Sequence, residues 1–402
     1  MTTGVRVAVV GGGIGGMAAA LLLSRASARV TLVERVAEPA PVGAAIALFP
    51  NGLAVLYGLG LRDPLQGRAY VASSGGLRLG SRRRTVHAAL PDFGDGLDHA
   101  LGVTRAHLLD VLDAAVRADP GIEVRFGTEV VGAHRDGRID LRPAAADRGE
   151  TLEADLIVGA DGIGSVVRGA GDFGARRSMT PGLTIRALVE GEPFPPEVGE
   201  FWSAYGIAMG VPVGGGESYL ALSASRGPAK DAMERRDLPA LRAVGAAMLP
   251  GGAKALSAVE SFDELIVTPI ETVACRRWVD GRLVLLGDAA HAMAPHLAQG
   301  ANSALLDAFA LTEELSRSGA TIENALAAYE ARRRRTAGRL RRLAEAYRLA
   351  SESATVPGVR QIRDMLMSVA AKAPKATDRY MRFVQQEDPA AIQAAVRSLG
   401  RT

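Results

Sequence analysis

The chain of 402 residues has one cysteine, Cys275, so an internal disulfide framework is excluded and the composition suits a reducing compartment. Lysine is nearly missing: of 47 basic residues only four are lysine, and with 44 acidic residues the formal charge is +3. The excess is spread as arginine and marks no concentrated basic face. Aromatic residues make up 4%, so basic and aromatic side chains do not interleave, and no nucleic-acid recognition module accompanies the charge. No unbroken apolar run reaches the roughly 20 residues of a membrane helix. The nearest, Val5 to Leu23, is cut by the glycines between Gly11 and Gly16, which read as a turn. The N-terminus shows neither a charged n-region nor a cleavage-site pattern. The expectation is a soluble cytoplasmic protein, monomer or homodimer, that acts on a small molecule and has no nucleic-acid or membrane partner.

What is present is a large apolar content, 48% of residues, in a chain longer than a typical single domain; two intimately packed domains are expected. Val5 to Val10 is β-branched, Ile14 to Ser27 is rich in Ala and Leu, and Arg29 to Val33 is strand-like again. This is a βαβ unit. Asn51 can cap a short helix through Tyr57, and Thr104 can cap a helix Arg105 to Ala118, in which Leu108, Leu109, Leu112 and Val116 recur at helical spacing. Ile122 to Phe126 and Glu129 to Ala133 read as strands, and Leu152 to Val158 as a buried strand.

From Thr180 to Pro269 the texture becomes strand-like pieces such as LTIRALVE and SYLALSAS between Gly and Pro clusters. The parallel-strand pattern returns at Arg282 to Leu286, and past Asn302 the chain reads as helix. The run Arg332 to Arg335 reads as a solvated helix face. The fold class expected is α/β: a Rossmann-type dinucleotide-binding domain over 1–70, 100–175 and 275–350, an inserted β-sheet-rich substrate domain over 71–99 and 176–274, and a helical C-terminal segment over 351–402.

Three motifs carry chemistry. GGGIGG contains GxGxxG as Gly11, Gly13 and Gly16, follows a strand, opens a helix, and precedes Glu34 at the end of the next strand. Glycines there let a pyrophosphate approach the backbone and the helix N-terminus, while an acidic side chain can accept from a ribose. DLIVGADGIGSVVR ends a second strand at Asp161, with Ser165 and Arg168 on the following helix. LVLLGDAAHAMAPHLAQG ends a third at Asp288, which can bind a polyol hydroxyl, and its small residues let a flat ring lie against the loop. The helix beyond Gly300 would aim its positive end at that ring. A ligand reaching across the sheet favours FAD over NAD.

On GGGIGG with Glu34-Arg35, DGIGSVVR, GDAAHAMAP, the later QGAN and Asp307-Ala308, the chain resembles the class A FAD-dependent aromatic hydroxylases, the para-hydroxybenzoate and salicylate hydroxylase group. The likeness runs from about Val5 to about Leu349. It implies that Gly11, Gly13, Ile14 and Gly16 contact the FAD pyrophosphate region and Glu34 the adenosine ribose. Arg35 and Arg105 correspond to arginines near the FAD, Asp161 to the motif serving FAD and NAD(P)H, and Asp288 to the residue holding the ribityl chain. Ala298, Gln299, Gly300, Ala301 and Asn302 correspond to the flavin loop, and Val42 to Gly52 to a flavin-side loop. Where the family often has GQG, this chain has Ala298-Gln299-Gly300; alanine permits close approach but resists a positive φ.

The resemblance further implies non-covalent FAD, NAD(P)H as electron donor, O2 as co-substrate, and oxygen transfer from a C4a-hydroperoxyflavin to an electron-rich ring. Pro295 and His296 fall in the loop facing flavin and substrate. His296 has two readings: a base near neutrality that deprotonates or orients a phenol, or a loop histidine satisfying backbone carbonyls. Arg186, Trp202, Tyr205 and Tyr219 are candidates for the substrate pocket. No ligand pattern completes a metal site through Asp288, His291 and His296. The alternatives are a halogenase or reductase of the same fold, the former lowered because neither Trp202 nor Trp278 stands in a WxWxIP element, and a flavin-binding module without turnover.

Overall fold

Apolar runs without alternation form strands covered on both faces, and the chain begins with one. In the computed structural model, which describes residues 4–38, 45–79, 84–144, 148–194, 199–225, 227–317, 319, 321–352, 358–370 and 374–400, the strand Arg6–Val10 is central in a six-stranded sheet. Its order is Val279–Asp280, Leu283–Leu285, Leu156–Gly159, Arg6–Val10, Arg29–Val33, Ile122–Arg125, parallel throughout except at the edge strand Val279–Asp280. Val7, Ala8, Val9 and Val10 are buried. The helix Ile14–Arg25 packs on this sheet and along the helix Gly300–Ser316.

Two local expectations shift. The helix near Asn51 is Pro50–Gly58, with Phe49 at the N-cap and proline at its first position, where its fixed φ suits the helix and its missing N–H costs nothing. Asn51 lies buried within the first turn and binds Gln299 instead of capping. The stretch Leu152 to Val158 is divided between Glu150–Glu153, in a three-stranded antiparallel sheet with Arg138–Pro143 and Thr128–Ala133, and Leu156–Gly159 in the parallel sheet. Asp155 marks the break: its carboxylate accepts from the backbone N and the guanidinium of Arg6. Thr104 caps Arg105–Ala118 as expected, accepting from His107 N.

The second large sheet has seven strands in the order Ile266–Ala274, Arg176–Glu190, Glu217–Ser223, Gly206–Gly214, Glu200–Ser203, Ser74–Leu79, Arg84–Ala89. Alternation gives it two faces. Ile185, Ala187, Val189, Ala208, Leu220 and Leu222 join Leu241, Val244 and Met248 of the helix Leu238–Met248 in one apolar cluster. The residues between them, Thr184, Arg186, Met209, Tyr219 and Ala221, turn to the opposite face, where a cavity lies.

The helix Ile322–Glu352 passes both sheets and is followed by the helices Val359–Ala370, Pro374–Val384 and Pro389–Ser398. The run Arg332 to Arg335 is not one solvated face, because four consecutive helical residues point around the whole axis. Arg334 and Arg335 are exposed, but Arg332 bridges Glu313, Glu314 and Glu387. Arg333 is 0% exposed and donates through Nε to Asp307 Oδ1 at 2.8 Å. Removing one partner of such a buried pair leaves an uncompensated charge, so Arg333→Met is expected to cost about 3 kcal/mol. Urea unfolding of Arg333→Met, Asp307→Asn and the double variant should show the double losing less than the two singles combined; a strictly additive loss would mean the two side chains are not coupled.

Candidate functional site

The turn between the first strand and helix is built from glycines with different tasks. Gly11 has φ +105° and a Cβ there would meet Ala160 O at 2.6 Å; at Gly16 a Cβ would meet Gly11 O at 1.9 Å. Both are fixed by the chain's own packing. A Cβ on Gly13, by contrast, meets nothing within 4 Å. Gly13 is the N-cap of Ile14–Arg25 and, with Ile14, borders a cavity of about 450 Å³. The open space therefore lies where the helix presents unbonded amide groups, a setting that attracts anions. Glu34 sits across the turn: Oε2 accepts from Gly12 N at 2.6 Å and Oε1 from Val36 N at 2.9 Å. Arg35 is exposed and is not part of the cavity wall.

The same cavity is bordered by Arg105, Ala160, Gly162 and the stretch Leu286, Gly287 and Asp288. Asp161 stands between the first two motifs. Its Oδ2 accepts from Val166 N and Val167 N at the start of the helix Val166–Ala170, whereas Oδ1 is buried without a partner. Burial pushes its carboxyl above the ordinary range despite those bonds. Arg168 braces the second motif to the third, donating to Ile163 O at 2.5 Å and to Ala289 O at 2.9 Å. Asp288 opens the short helix Asp288–His291. Burial raises its carboxyl, against the weaker pull of His291 and Arg105.

His291 is structural in place. Its Nε2 meets Asp307 Oδ2 at 2.5 Å, and its ring stacks on Trp278 at 4.9 Å. Asp307 Oδ2 also accepts from Gly287 N at 2.9 Å. Burial opposes its ionisation, but His291 and Arg333 outweigh that and hold the carboxyl below its usual range. Among the described residues no group of three or more His, Cys, Asp or Glu side chains could hold a metal ion.

Beyond His291 the loop turns through Pro295–Leu297, a single 3-10 turn, into Gly300–Ser316. Ala298 has φ +49°, the left-handed geometry that alanine resists at a cost of roughly 1–2 kcal/mol. Asn302 holds it there: Nδ2 donates to Ala298 O and Ala47 O, both at 2.9 Å, and Oδ1 accepts from Phe49 N. Gln299 is likewise turned inward, its Oε1 accepting from Asn51 and Gln386. Ala298, Gly300 and Ala301 face the cavity, while Gln299 and Asn302 stay behind that wall and shape it. Of Val42 to Gly52, residues 42–44 lie outside the described residues; Ala45, Ile46 and Ala47 border the cavity.

Pro295 and His296 border it from the other side. Burial pushes the His296 imidazole down to about 4, helped by Arg348 and opposed by Glu352 and Glu345. Of the two readings of this residue, that shift favours the loop histidine over a base near neutrality. On the sheet, Arg186 and Tyr219 border the cavity, whereas Trp202 and Tyr205 do not. Trp202 is buried with Leu79 and Ile207 and meets Tyr347 edge to face, so it packs under the helix Ile322–Glu352 beside the cavity without bordering it. Tyr205 is 37% exposed in the reversal between Glu200–Ser203 and Gly206–Gly214. Two residues were missed. Glu200 borders the cavity, and Tyr347, from the helix Ile322–Glu352, donates to it at 2.8 Å.

Known proteins share this chain's sequence and fold over most of its length. Residues 4–344 match the family described as FAD binding domain. The chain is 29% identical over 396 residues to an FAD-dependent urate hydroxylase of Mycolicibacterium vanbaalenii, covering 95% of this chain and 93% of that protein. It is 30% identical over 417 residues to a 3-amino-4-hydroxybenzoate 2-monooxygenase of Streptomyces cremeus, covering 96% and 93%. Among solved structures, a tetrameric form of 2-methyl-3-hydroxypyridine-5-carboxylic acid oxygenase superposes with a TM-score of 0.75 at 31% identity, covering 90% of this chain and 96% of that one.

The contrast between glycines is testable. Gly16→Ala should lower the melting temperature of the ligand-free protein, because its Cβ has no room, whereas Gly13→Val should leave the melt unchanged and reduce retained FAD. Circular dichroism and FAD content after gel filtration measure the two; a Gly13→Val protein that keeps its full FAD complement would remove this turn from the ligand site.

Proposed function

The chain belongs to the FAD binding domain family and is an FAD-dependent monooxygenase of the single-component aromatic hydroxylase type, and from that premise we propose that its substrate is a small hydroxylated aromatic or heteroaromatic anion, oriented by Arg186. The observation behind this reading is the Arg186 guanidinium. It borders the cavity that begins at the glycine-rich turn, and it keeps Nε buried and without a partner while Nη2 donates to Thr268 Oγ1 at 2.6 Å. An orphaned cationic donor is costly unless a ligand completes it. Tyr219 beside it is pushed up by burial, against the pull of Arg186, and so remains a hydroxyl donor. The compounds in two of the relatives' names, 3-amino-4-hydroxybenzoate and 2-methyl-3-hydroxypyridine-5-carboxylic acid, each join a ring hydroxyl to a carboxyl group.

The residues present fit FAD: free space at Gly13, an unpartnered Asp161 Oδ1, and small residues at Ala298, Gly300 and Ala301 in one cavity. When bound, FAD supplies the transfer of one oxygen atom of O2 to the substrate at the expense of NAD(P)H. In this reading the backbone of Gly11, Gly13, Ile14 and Gly16 receives the pyrophosphate, Glu34 the adenosine ribose, and Asp288 the polyol chain. Arg105 supplies positive charge beside Asp288, whereas Arg35, exposed and outside the cavity wall, follows Glu34 with no contact of its own there among the described residues. The positive end of Gly300–Ser316 faces the ring through Gly300 and Ala301, where it favours negative charge. The dinucleotide belongs to the region 1–70, 100–175 and 275–350, and the substrate to 71–99 and 176–274. Among the described residues no helix is long and apolar enough to cross a membrane; the reading places the protein in the cytoplasm, as a monomer or homodimer.

The test is substrate-stimulated NAD(P)H consumption by the FAD-loaded protein with a panel of hydroxylated aromatic and heteroaromatic acids, with product mass. Expected is the gain of one oxygen atom for compounds carrying both groups. No stimulation by any such compound would overturn the reading. Arg186→Gln should raise KM for the acids by roughly 10- to 100-fold, the range for a hydrogen bond to a charged group, and have little effect on uncharged analogues.

His296 gives a separate outcome. Since burial pushes its imidazole down to about 4, His296→Gln should leave the shape of the rate profile between about pH 6 and 9 unaltered. The disappearance of a titration near 6.5, the ordinary histidine value, would restore it as the base.

A further inference from the structure

The cavity face of the seven-stranded sheet carries one row fixed by the ladder: Glu200 opposite Met209, Met209 opposite Ala221, Ala221 opposite Arg186. Directly opposed residues share a face. A carboxylate and a guanidinium therefore stand at the two ends of one row, about 14 Å apart at their backbones for strands spaced by ~4.8 Å, with apolar Met209 and Ala221 between. Both ends border the cavity. The role of Glu200 rests on the reading of this cavity as the substrate site, with Arg186 at the anion end.

The Glu200 end is built with care. Trp202 Nε1 donates to Oε1 at 2.6 Å and Tyr347 Oη donates to Oε2 at 2.8 Å. These donors are held in turn: the Trp202 and Tyr347 rings meet edge to face at 4.9 Å, and the Arg363 guanidinium lies 4.8 Å over the Trp202 ring. Each carboxylate oxygen keeps a second lone pair. Among the described residues no basic side chain forms an ion pair with Glu200, and its two partners are neutral donors. A carboxylate removed from water without a counter-ion is expensive. A glutamine could fill the same space without the charge.

We propose that Glu200 is the catalytic proton acceptor for a ring hydroxyl of the substrate. The hydroxyl donates to a free lone pair of the carboxylate. The O–H bond then breaks, its electron pair stays on the ring oxygen, and the proton forms the new O–H bond of a neutral Glu200. The aryloxide feeds electron density into the ring, which raises the nucleophilicity of the carbons ortho and para to it. The proton returns when the ring hydroxyl is restored, so Glu200 is unchanged over the cycle.

Burial pushes the Glu200 carboxyl up to about 7, against the pull of Trp202 and Tyr347, close to where an acceptor works best at neutral pH. The groups around it are paired or shifted away from that range. On the helix Ile322–Glu352, Tyr347 is held well above the usual phenol range by burial and by Glu200, and Arg348 is paired with Glu345 and Glu352. From Pro374–Val384, Tyr380 is pushed up to about 12. From Val359–Ala370, Arg363 is paired with Asp364. His296, its ring 6.4 Å from that of Tyr347, is pushed down to about 4. The strand residues directly beside Glu200, Leu77 and Met209, do not ionise.

The experiment uses the FAD-loaded wild type and Glu200→Gln with the most active hydroxy acid of the panel and with its analogue carrying a nitro group ortho to the hydroxyl, compared at a pH where that analogue's hydroxyl is ionised. Expected are a kcat lower by about 10²-fold with KM little changed, loss of the acid limb near pH 7, and recovery of most of the rate with the pre-ionised analogue. Full kcat with the acid limb intact, or an equal loss with both compounds, overturns the proposal while leaving the substrate-site reading in place. Absence of stimulation by any panel member removes both. Should Glu200→Gln fail to fold, Tyr347→Phe carries the test: losing a donor disfavours the carboxylate, so the acid limb must move to higher pH, and an unmoved limb overturns the assignment.

Discussion

A single buried carboxylate holds one wall of the cavity in shape. Asp307 accepts from Gly287 N, from His291 Nε2 and from Arg333 Nε, joining the end of a parallel strand, the loop after it and a distant helix. Ion pairs removed from water gain little unless their remaining lone pairs are satisfied, and here the three donors come from three elements that could otherwise slide past one another. The need is local. A loop of Ala, Gly and Pro that must leave room for a flat ligand has few side chains with which to fix itself, so its conformation is imposed from behind. Asn302 does the same at Ala298, clamping an alanine into left-handed geometry between two backbone carbonyls.

The sheet opposite works by a different rule. Strict alternation lets each strand bury Ile, Val and Leu under helices while offering Thr, Arg, Tyr and Glu to the cavity. The polar row is therefore carried by a layer whose other side is ordinary core. Substitutions on the cavity side alter its lining with little effect on what holds the sheet together.

Legibility in the sequence followed the range of the interaction. The first strand, the glycine turn and the Thr104 cap depend on residues within a few positions and were readable. Arg186 and Tyr219 were readable as polar residues on alternating strands. Trp202 and Tyr205 share the same short stretch, EFWSAYG, but Trp202 is packed under the helix Ile322–Glu352 and a tight reversal sends Tyr205 to solvent. Glu200, in that very stretch, passed unnoticed because its meaning comes from partners on other elements: the register that lines it up with Arg186, and Tyr347 far along the chain. The arginine run failed for the same reason. Nothing near Arg333 in sequence announces Asp307. His296 borders the cavity, yet its proton affinity is set by burial and by Arg348, which periodicity does not reveal.

The helix Ile322–Glu352 reaches two parts of the cavity wall, through Arg333 at Asp307 and through Tyr347 at Glu200. These two residues are about four turns apart, so they project from nearly the same side of the rod, roughly 21 Å from each other along its axis. The rod is therefore a gauge that sets the spacing and the angular phase between two sites of different chemistry. Adding one residue between them would turn the far grip by about 100°, and whichever end kept its contact, the other would lose it. Sequence drift along the exposed side of this helix is cheap; drift in its length is not.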